Sequence, residues 1–534
     1  MSWRSDPLRL LCLAACFSAF VVQSGELGSS DTMHRLQATH SFWTSEPAVF
    51  PNEYPEFGVH GRGGRLYGWF GIGQSLLMLP ADIVGTGLER LSIFEDYNGN
   101  DPSVRNIVVS YSTSILLSIL TALVVFRFLR QLRFTVREAA AGVLALLFCT
   151  THLHYTQNMM ENNYIMLLTL TGLSFEYEWL RSGNRWALRM AACAFGLNLL
   201  TRLTTGLDLI AGGVFVLLVW LYQGLPRRDL AAHLVNYVKT VAPVYASFLL
   251  IDRVYQYYRF GSFLHTYVWV VAREYHKLNP SLPPNYPWET PFHLGFVGAL
   301  FTPEKSVFLF DPLLMLTILV AARGWKCFAA EIKAYLLTCF LLVLSYISFY
   351  ARYTVWSGDF AWGDRYVSTA VELAAFLSVP LWLRYRAQLG RSVGIAAMAL
   401  IAGSAIVQVA SLAFWLPLEI YQMETLGHPT LVIALRFKNI VAFALGRMDR
   451  WGLTNIAMTE DPWDYVHITT WNFLPFLLRR VGEAPSWVVQ TVFVVWGTAL
   501  AALGLVLRQL TKVLLSKDGR ADSLSQTANS GCRI

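Results

Sequence analysis

A few short segments hold the residue types that could do chemistry. The first reads Ser24-Gly25-Glu26-Leu27-Gly28-Ser29-Ser30-Asp31-Thr32-Met33-His34-Arg35 and follows directly on an apolar run. A carboxylate such as Asp31, held at the edge of a bilayer, can serve as general base toward a hydroxyl. The competing use is structural, because Ser29, Ser30 or Asp31 can each cap a helix running through His34–Thr44. The second segment is His60-Gly61-Arg62-Gly63-Gly64-Arg65-Leu66-Tyr67, which leads into an apolar stretch. Arginines offer paired donors to a phosphate and glycines let backbone amides approach it, so Arg62, Arg65 and Tyr67 suit a phosphate-bearing lipid headgroup. A flexible loop with interfacial Arg and Trp anchors is the plain alternative. With no strand expected before it, the spacing is not a nucleotide fingerprint.

Two more segments lead into apolar runs. Phe301-Thr302-Pro303-Glu304-Lys305 precedes Asp311-Pro312, and Trp356-Ser357-Gly358-Asp359-Phe360-Ala361-Trp362-Gly363-Asp364-Arg365-Tyr366 precedes another run. Lys305 and Arg365 thus fall near a bilayer interface, where a charge is costly unless paired or hydrated. The bland readings are a snorkelling lysine and an ion network joining Arg365 to Asp359 and Asp364. Glu161 is the only charge in the short connection around Gln157–Asn163. It can assist a base or help hold a cation, or it can be a solvated acid. His152 and His154 are two apart and lie on different helical faces, so they form no metal pair. Glu460, Asp461 and Asp464 read as a solvated turn. No metal-ligand set and no cofactor are expected.

The surrounding chain says what must position these residues. Of its 534 residues 55% are hydrophobic and only 14% charged, with mean hydropathy +0.43. Soluble domains carry about a quarter charged residues, so soluble enzymes, disordered chains, collagens and coiled coils are excluded. The expected fold is an all-α polytopic membrane protein of about twelve transmembrane helices, with interfacial helices outside the membrane. Candidate spans are 8–24, 104–126, 138–156, 163–180, 186–202, 204–222, 239–257, 306–322, 334–350, 367–383, 392–417 and 487–507, each near the ~20 residues that cross a bilayer.

Sidedness follows from the positive charges. If the stretch from Trp69 to Leu91, with its Pro80 and Asp82, lies along the surface, then the clusters Arg127/Arg130/Arg133/Arg137, Arg181/Arg185/Arg189, Arg227/Arg228, Arg323/Lys326 and Arg384/Arg386/Arg391 share one side. Arg4, Arg9, Lys512 and Lys517 join them. This places both termini in the cytoplasm and makes 69–91 an outer interfacial helix. The net charge of +7 then belongs to cytoplasmic loops, and no nucleic-acid partner is expected. The outer segments 25–103, 258–305, 351–366 and 418–486 are long and hold most of the acids, prolines and tryptophans, where a rigid scaffold places chemistry. The seven cysteines avoid these loops, so no disulfide framework is expected. One transmembrane domain covers 1–515, and the polar tail 516–534 is expected to be disordered. Arg4, Arg9 and Leu10–Val22 also resemble a signal peptide with a cleavage point near Val22 to Ser24; an uncleaved first span is the expectation.

Together these segments form one pattern: an acid soon after the first span, a Tyr-x-x-x-Gly…Pro interfacial helix, an outer Pro-x-Lys and an outer Gly-x-Arg-Tyr, each of the last two before a span. The pattern resembles the GT-C superfamily of membrane glycosyltransferases, including protein O-mannosyltransferases and lipid A aminoarabinose transferases. Thr302-Pro303-Glu304-Lys305-Ser306-Val307-Phe308-Leu309-Phe310-Asp311-Pro312 is similar to the Ser-Pro-Gly-Lys-Gly-Leu-Phe-x-Tyr-Ser-Pro segment of many members. Trp362-Gly363-Asp364-Arg365-Tyr366 is similar to their Trp-Gly-Pro-Arg-Tyr. Glu304, Ser306, Asp311 and Asp364 depart from that pattern. Where the family usually carries an acidic pair, Asp31 is followed by Thr32, so only Asp31 is carried over as base.

The resemblance implies a hexosyl- or pentosyltransferase of a bacterial inner membrane that uses a polyprenyl-phosphate sugar outside the cytoplasm. The acceptor would be a hydroxyl of a glycan, lipid or protein. The residues suit such a reaction. Asp31 would deprotonate the acceptor hydroxyl as it attacks the anomeric carbon, with inversion. Lys305, Arg365, Tyr366 and the Arg62/Arg65/Tyr67 segment would hold the donor and stabilise its leaving phosphate. The rival class is a transporter or flippase of a lipid-linked sugar, which calls for ionisable residues at mid-membrane depth and related halves. The expected spans carry few such charges, Asp208 and Asp252 near span ends being the candidates.

Overall fold

The computed structural model describes residues 6–51, 57–97, 102–359, 361–415, 417–424, 427–448, 470–482 and 484–515. The expected acids Glu460, Asp461 and Asp464 and the tail 516–534 lie outside these. Among the described residues nearly all regular structure is helical. The order is α1 (Pro7–Val22), α2 (Ser30–His40), β1 (Val59–His60), β2 (Leu66–Tyr67), α3 (Gly73–Glu89), α4 (Val104–Gln131), α5 (Val136–Cys149), α6 (His152–Gln157), α7 (Asn162–Ser182) and α8 (Arg185–Thr201). Then come α9 (Gly206–Tyr222), α10 (Arg227–Phe260), α11 (Tyr267–Leu278), α12 (Phe292–Phe301), α13 (Val307–Phe310), α14 (Leu313–Gly324), α15 (Ala330–Tyr350), α16 (Ser368–Ala375) and α17 (Ser378–Ser411). The series ends with α18 (Pro417–Glu424), α19 (Val432–Ala444), α20 (Leu474–Val481) and α21 (Ser486–Leu515).

Among the described residues six helical stretches are long and apolar enough to cross a bilayer: Val104–Gln131, Leu203–Tyr222, Arg228–Phe260, Ala330–Tyr350, Ser368–Ser411 and Ser486–Leu515. The fold is that of a helical membrane protein, while the expected count of twelve spans exceeds what length and apolarity alone support. Local backbone chemistry accounts for part of the difference. The run 138–156 breaks at Thr150, whose extended backbone (φ −130°, ψ 168°) separates α5 from α6. The run 306–322 breaks at Asp311, which Pro312 forces out of the helical region. Conversely, the expected boundary between 367–383 and 392–417 is present at Gly390, where φ is +81° and the helix is interrupted.

The interfacial reading of 69–91 meets a well-packed α3 that lies along α4 and α2. Its one acid within the helix interior explains the docking. Asp82 is fully buried and accepts hydrogen bonds from Trp43 Nε1 at 2.8 Å and from Arg105 Nε, with His40 Nδ1 at 3.1 Å. One carboxylate thereby ties α2, α3 and α4 together, and a buried charge with three partners is tolerated where a bare one is not. Val59 and His60 pair antiparallel with Tyr67 and Leu66, a short strand pairing the sequence did not foretell.

The core is built by α4, α5, α7, α9 and α14 to α17 around Phe128, Phe215, Tyr335 and Phe376, none of which reaches the surface. Glycines set the helix spacing there. A Cβ at Gly172 would lie 2.5 Å from the Phe195 ring, and one at Gly212 would lie 2.8 Å from it. Small residues at such crossings let helices approach closely without a hydrophobic driving force from water. Arg436 of α19 is wholly buried. It donates to both carboxylate oxygens of Glu419 at 2.6 and 2.7 Å and to the carbonyls of Ser411 and Phe414 at 2.8 and 2.9 Å. This guanidinium pins α18 and α19 to the end of α17, directly behind the segment that carries Arg365.

Candidate active site

Asp31 sits in the first turn of α2 and is not its cap. Ser29 takes that role, accepting from the Thr32 N–H at 3.2 Å, so the Asp31 carboxylate is left to face outward from the turn. Arg35 follows one turn later on the same helical face. The helix is anchored through Thr32, whose hydroxyl donates to the Met159 carbonyl at 2.7 Å. Gln74 of α3 donates to the same carbonyl at 3.2 Å. These bonds bring the 157–161 connection, and with it Glu161, up against α2.

The 351–366 segment is shaped by a cation. Lys305 Nζ donates to the carbonyls of Asp359, Ala361 and Gly363 at 2.5, 2.8 and 3.5 Å. Three carbonyls can turn inward only where the backbone reverses tightly, and φ is positive at Gly358, Asp359 and Gly363. Burial pushes the Lys305 ammonium down to about 8. Trp362 is fully buried, packed edge-on to Phe310 and near-parallel to His154, with Arg436 over its ring at 5.2 Å. Tyr155 donates to the Trp362 carbonyl at 3.1 Å, and Asn162 donates to the Arg365 carbonyl at 2.7 Å. The backbone of Arg365 is therefore held from several sides before its side chain is considered.

That side chain reaches Asp31. Arg365 Nη1 donates to Asp31 Oδ2 at 2.7 Å, and the two side chains keep 14% and 22% of their surface exposed, so the pair opens toward solvent. Behind it is a sealed second pair. Glu161 accepts from Arg202 and lies 2.9 Å from Arg35 Nη1, with the Glu161 and Arg35 side chains only 4% and 6% exposed. Burial by itself would raise the Glu161 carboxyl, but Arg35, Arg202 and Arg365 outweigh it and hold it well below the usual carboxylate range. Tyr366 and the same acids hold Arg365 firmly protonated against its burial. Glu161 is thus neither a solvated acid nor a ready base. It holds two guanidiniums in place.

Tyr366 completes the group. Its ring stacks on Tyr350 at 4.1 Å, and the guanidiniums of Arg202 and Arg365 stand 5.3 and 5.2 Å from its centroid. Three guanidiniums against two carboxylates leave one net positive charge, in an aromatic surround where it is weakly screened. Arg365 Nε is buried with no hydrogen-bond partner among the described residues. Such a group can receive an anion at Arg365 and present a carboxylate beside it.

Of the residues singled out in the sequence, Asp31, Glu161, Arg365 and Tyr366 come together here. Lys305 lies behind them, its donors taken by the loop it organises. Arg62 lies elsewhere, over the Tyr257 ring at 5.1 Å. Arg65 and Tyr67 line a separate cavity of roughly 750 Å³ between α2, the β1–β2 hairpin and the end of α10; Arg35 lines it too and is the link to the cluster. Sequence reasoning missed Arg35 and Arg202 as site residues. Both left a signal: Arg35 is one turn from Asp31, and Arg202 ends a span on the side where the sidedness rule places few cations.

Among the described residues no group of three or more His, Cys, Asp or Glu is placed to hold a metal ion. No family model and no curated protein matches the chain. Solved structures with a similar helical arrangement include two at low sequence identity. One is the oligosaccharyltransferase of Archaeoglobus fulgidus in its apo form, at 14% identity and TM-score 0.44, over 80% of this chain and 59% of that one. The other is ArnT from Cupriavidus metallidurans bound to undecaprenyl phosphate, at 12% identity and TM-score 0.42, over 98% of this chain and 77% of that one. The chain thus spans 59% of the length of the archaeal enzyme, and its similarity to both is one of overall helical architecture.

Proposed function

We propose that this chain is an integral membrane glycosyltransferase that moves a sugar from a polyprenyl-phosphate donor to an acceptor hydroxyl on the non-cytoplasmic side, with inversion and with Asp31 as base. The observation that carries the reading is the contact between Asp31 and Arg365. Two residues 334 positions apart meet at 2.7 Å on the open edge of an arginine cluster. In the proposed step Asp31 takes the proton of the acceptor hydroxyl, whose oxygen forms the new bond to the anomeric carbon. The bond from that carbon to the phosphate oxygen breaks, and polyprenyl phosphate leaves with the electron pair. Arg365 faces the charge that grows on the phosphate, with Arg202 adding positive charge from behind, so a protonated leaving group is not required. A bound phosphate also competes with Asp31 for Arg365 and thereby releases the carboxylate to act as base. Lys305 acts at one remove, by fixing the loop that presents Arg365.

The test is transfer by the purified, reconstituted chain across a panel of polyprenyl-phosphate sugars, with products read by mass spectrometry. Transfer that Asp31→Asn reduces by about a hundred-fold or more is the expected result. Near-wild-type transfer by that variant would dismiss Asp31 as base. A transport reading draws on one observation: Glu176, Asp208, Asp311 and Glu372 are all buried, and all lie within or at the ends of apolar helices, more than the sequence suggested. Glu176 and Asp208 accept from the Tyr237 and Tyr346 hydroxyls, Asp311 accepts from the Thr151 N–H, and the one Thr151 hydroxyl lies between Asp311 and Glu372. Movement of a lipid-linked sugar between leaflets by Asp31→Asn protein, with no transfer by wild type, would favour that reading.

A further inference from the structure

The 750 Å³ cavity beside the cluster contains a feature the transfer mechanism does not use. Arg259, near the end of α10, is 2% exposed. One nitrogen, Nη1, donates to the carbonyls of Gly68 and Phe70 at 2.5 and 2.9 Å. Its Nε and Nη2 have no hydrogen-bond partner among the described residues. Those two nitrogens are sealed beneath the wall, and the guanidinium lies over the Tyr255 ring at 4.0 Å. Arg259 thus contributes an unpaired positive charge to the cavity wall, which an anion in the cavity would offset. Arg65 lines the same cavity from the hairpin, exposed. The hairpin is seated on α10 so closely that a Cβ at Gly61 would run into the Arg259 carbonyl oxygen. Among the described residues of the wall the single acid, Glu46, is already engaged by Gln37 Nε2 at 3.2 Å and lies 3.6 Å from His40. Five aromatic side chains line the same space, those of Phe42, Tyr67, Phe70, Tyr255 and Tyr258. Flat rings with hydroxyl handles beside paired cations suit a sugar that carries a negative charge.

We infer that this cavity binds an anionic saccharide, a sugar bearing phosphate or carboxylate, and that this is the acceptor of the transfer. The assignment to the acceptor rests on the transferase reading; the anionic-sugar site itself does not. Arg35 places the cavity next to the base, since it lines the wall and lies 2.9 Å from Glu161, one helical turn from Asp31. An acceptor held there by its charged group can extend a hydroxyl toward Asp31.

Calorimetry on the full chain in nanodiscs, titrated with glucose 1-phosphate, glucose and inorganic phosphate, tests the site. Glucose 1-phosphate is expected to bind at least about tenfold tighter than either of the others. Arg65→Ala and Arg259→Gln should each weaken it by about tenfold or more, the scale of one charge-assisted hydrogen bond. Equal binding of glucose and glucose 1-phosphate, or unchanged binding by Arg65→Ala, overturns the site. Inorganic phosphate binding as tightly as the sugar phosphate overturns the saccharide part. The Arg65 side chain is exposed and supports little of the fold, so Arg65→Ala decides the matter even if Arg259→Gln fails to fold. In the transfer assay Arg65→Ala should raise KM for the acceptor about tenfold and leave donor KM unchanged. The reverse would move the cavity to the donor and overturn the acceptor assignment. Absence of any transfer by wild type would sink the transferase reading, while the titration would still decide the site.

Discussion

Asp31 and Glu161 belong to one charge cluster, yet their neutral variants should fail in opposite ways. The Glu161 side chain is 4% exposed and lies between Arg35 and Arg202. Glu161→Gln keeps the shape but leaves two buried guanidiniums without their counter-charge, a change that costs about 3–5 kcal/mol. Asp31 is 22% exposed and its partner 14%, so water screens the pair and Asp31→Asn should cost only about 1 kcal/mol. The difference amounts to a change of roughly thirty-fold or more in the unfolding constant. It is measurable by denaturant or thermal unfolding of the two variants in the same detergent. Turnover should order them the other way, with Asp31→Asn falling by about a hundred-fold or more and folded Glu161→Gln losing less. The acid range adds a check on sign. Because the folded Glu161 carboxyl is held low, its stabilisation is complete at neutral pH and is lost only as pH falls below the ordinary carboxylate range. Wild type should therefore approach Glu161→Gln in stability only in strong acid. If the two variants unfold alike, or Glu161→Gln is as stable as wild type, the division between a structural and a reacting carboxylate is wrong.

Arg365→Lys can still meet Asp31 but loses the planar fork; donor KM is expected to rise about tenfold or more with little change in unfolding, measured with a fixed acceptor. Asp364 lies in the loop behind the site, and burial raises its carboxyl to about 7. Between the ordinary carboxylate range and that value the folded chain holds the extra proton, so stability should fall as pH rises through the window. Melting curves of Asp364→Asn should lack this slope, and an identical slope in both proteins would refute the assignment. Gly71 meets the end of α8, where a Cβ would collide with the carbonyl oxygens of Leu200 and Thr201. Gly71→Ala should lower thermal stability and weaken transfer together, since the start of α3 is seated on α8 at that point; an unperturbed melting point would count against it.

Membrane residence is legible in composition and hydropathy alone, because apolar blocks of bilayer length have no other stable use in so weakly charged a chain. The interruption near Gly390 is legible too, since it falls where a basic stretch separates two apolar runs. The count of crossings is not, since Thr150 and Asp311-Pro312 break runs that hydropathy reads as continuous. Asp31, Arg365 and Tyr366 stand out as charges and rings at the edges of apolar runs, where a charge demands a reason. What they touch does not stand out. Lys305 looks like a phosphate ligand in one dimension and proves to hold three carbonyls of its own chain. Glu161 looks like a candidate catalyst and proves to be locked between arginines that draw no notice in the sequence. Composition and periodicity act along the chain and settle which stretches enter lipid. Pairing of charges is decided across the chain, by which helices share a contact, and only tertiary packing places Arg365 beside Asp31 and sets Arg259 in the wall of a cavity without a carboxylate partner.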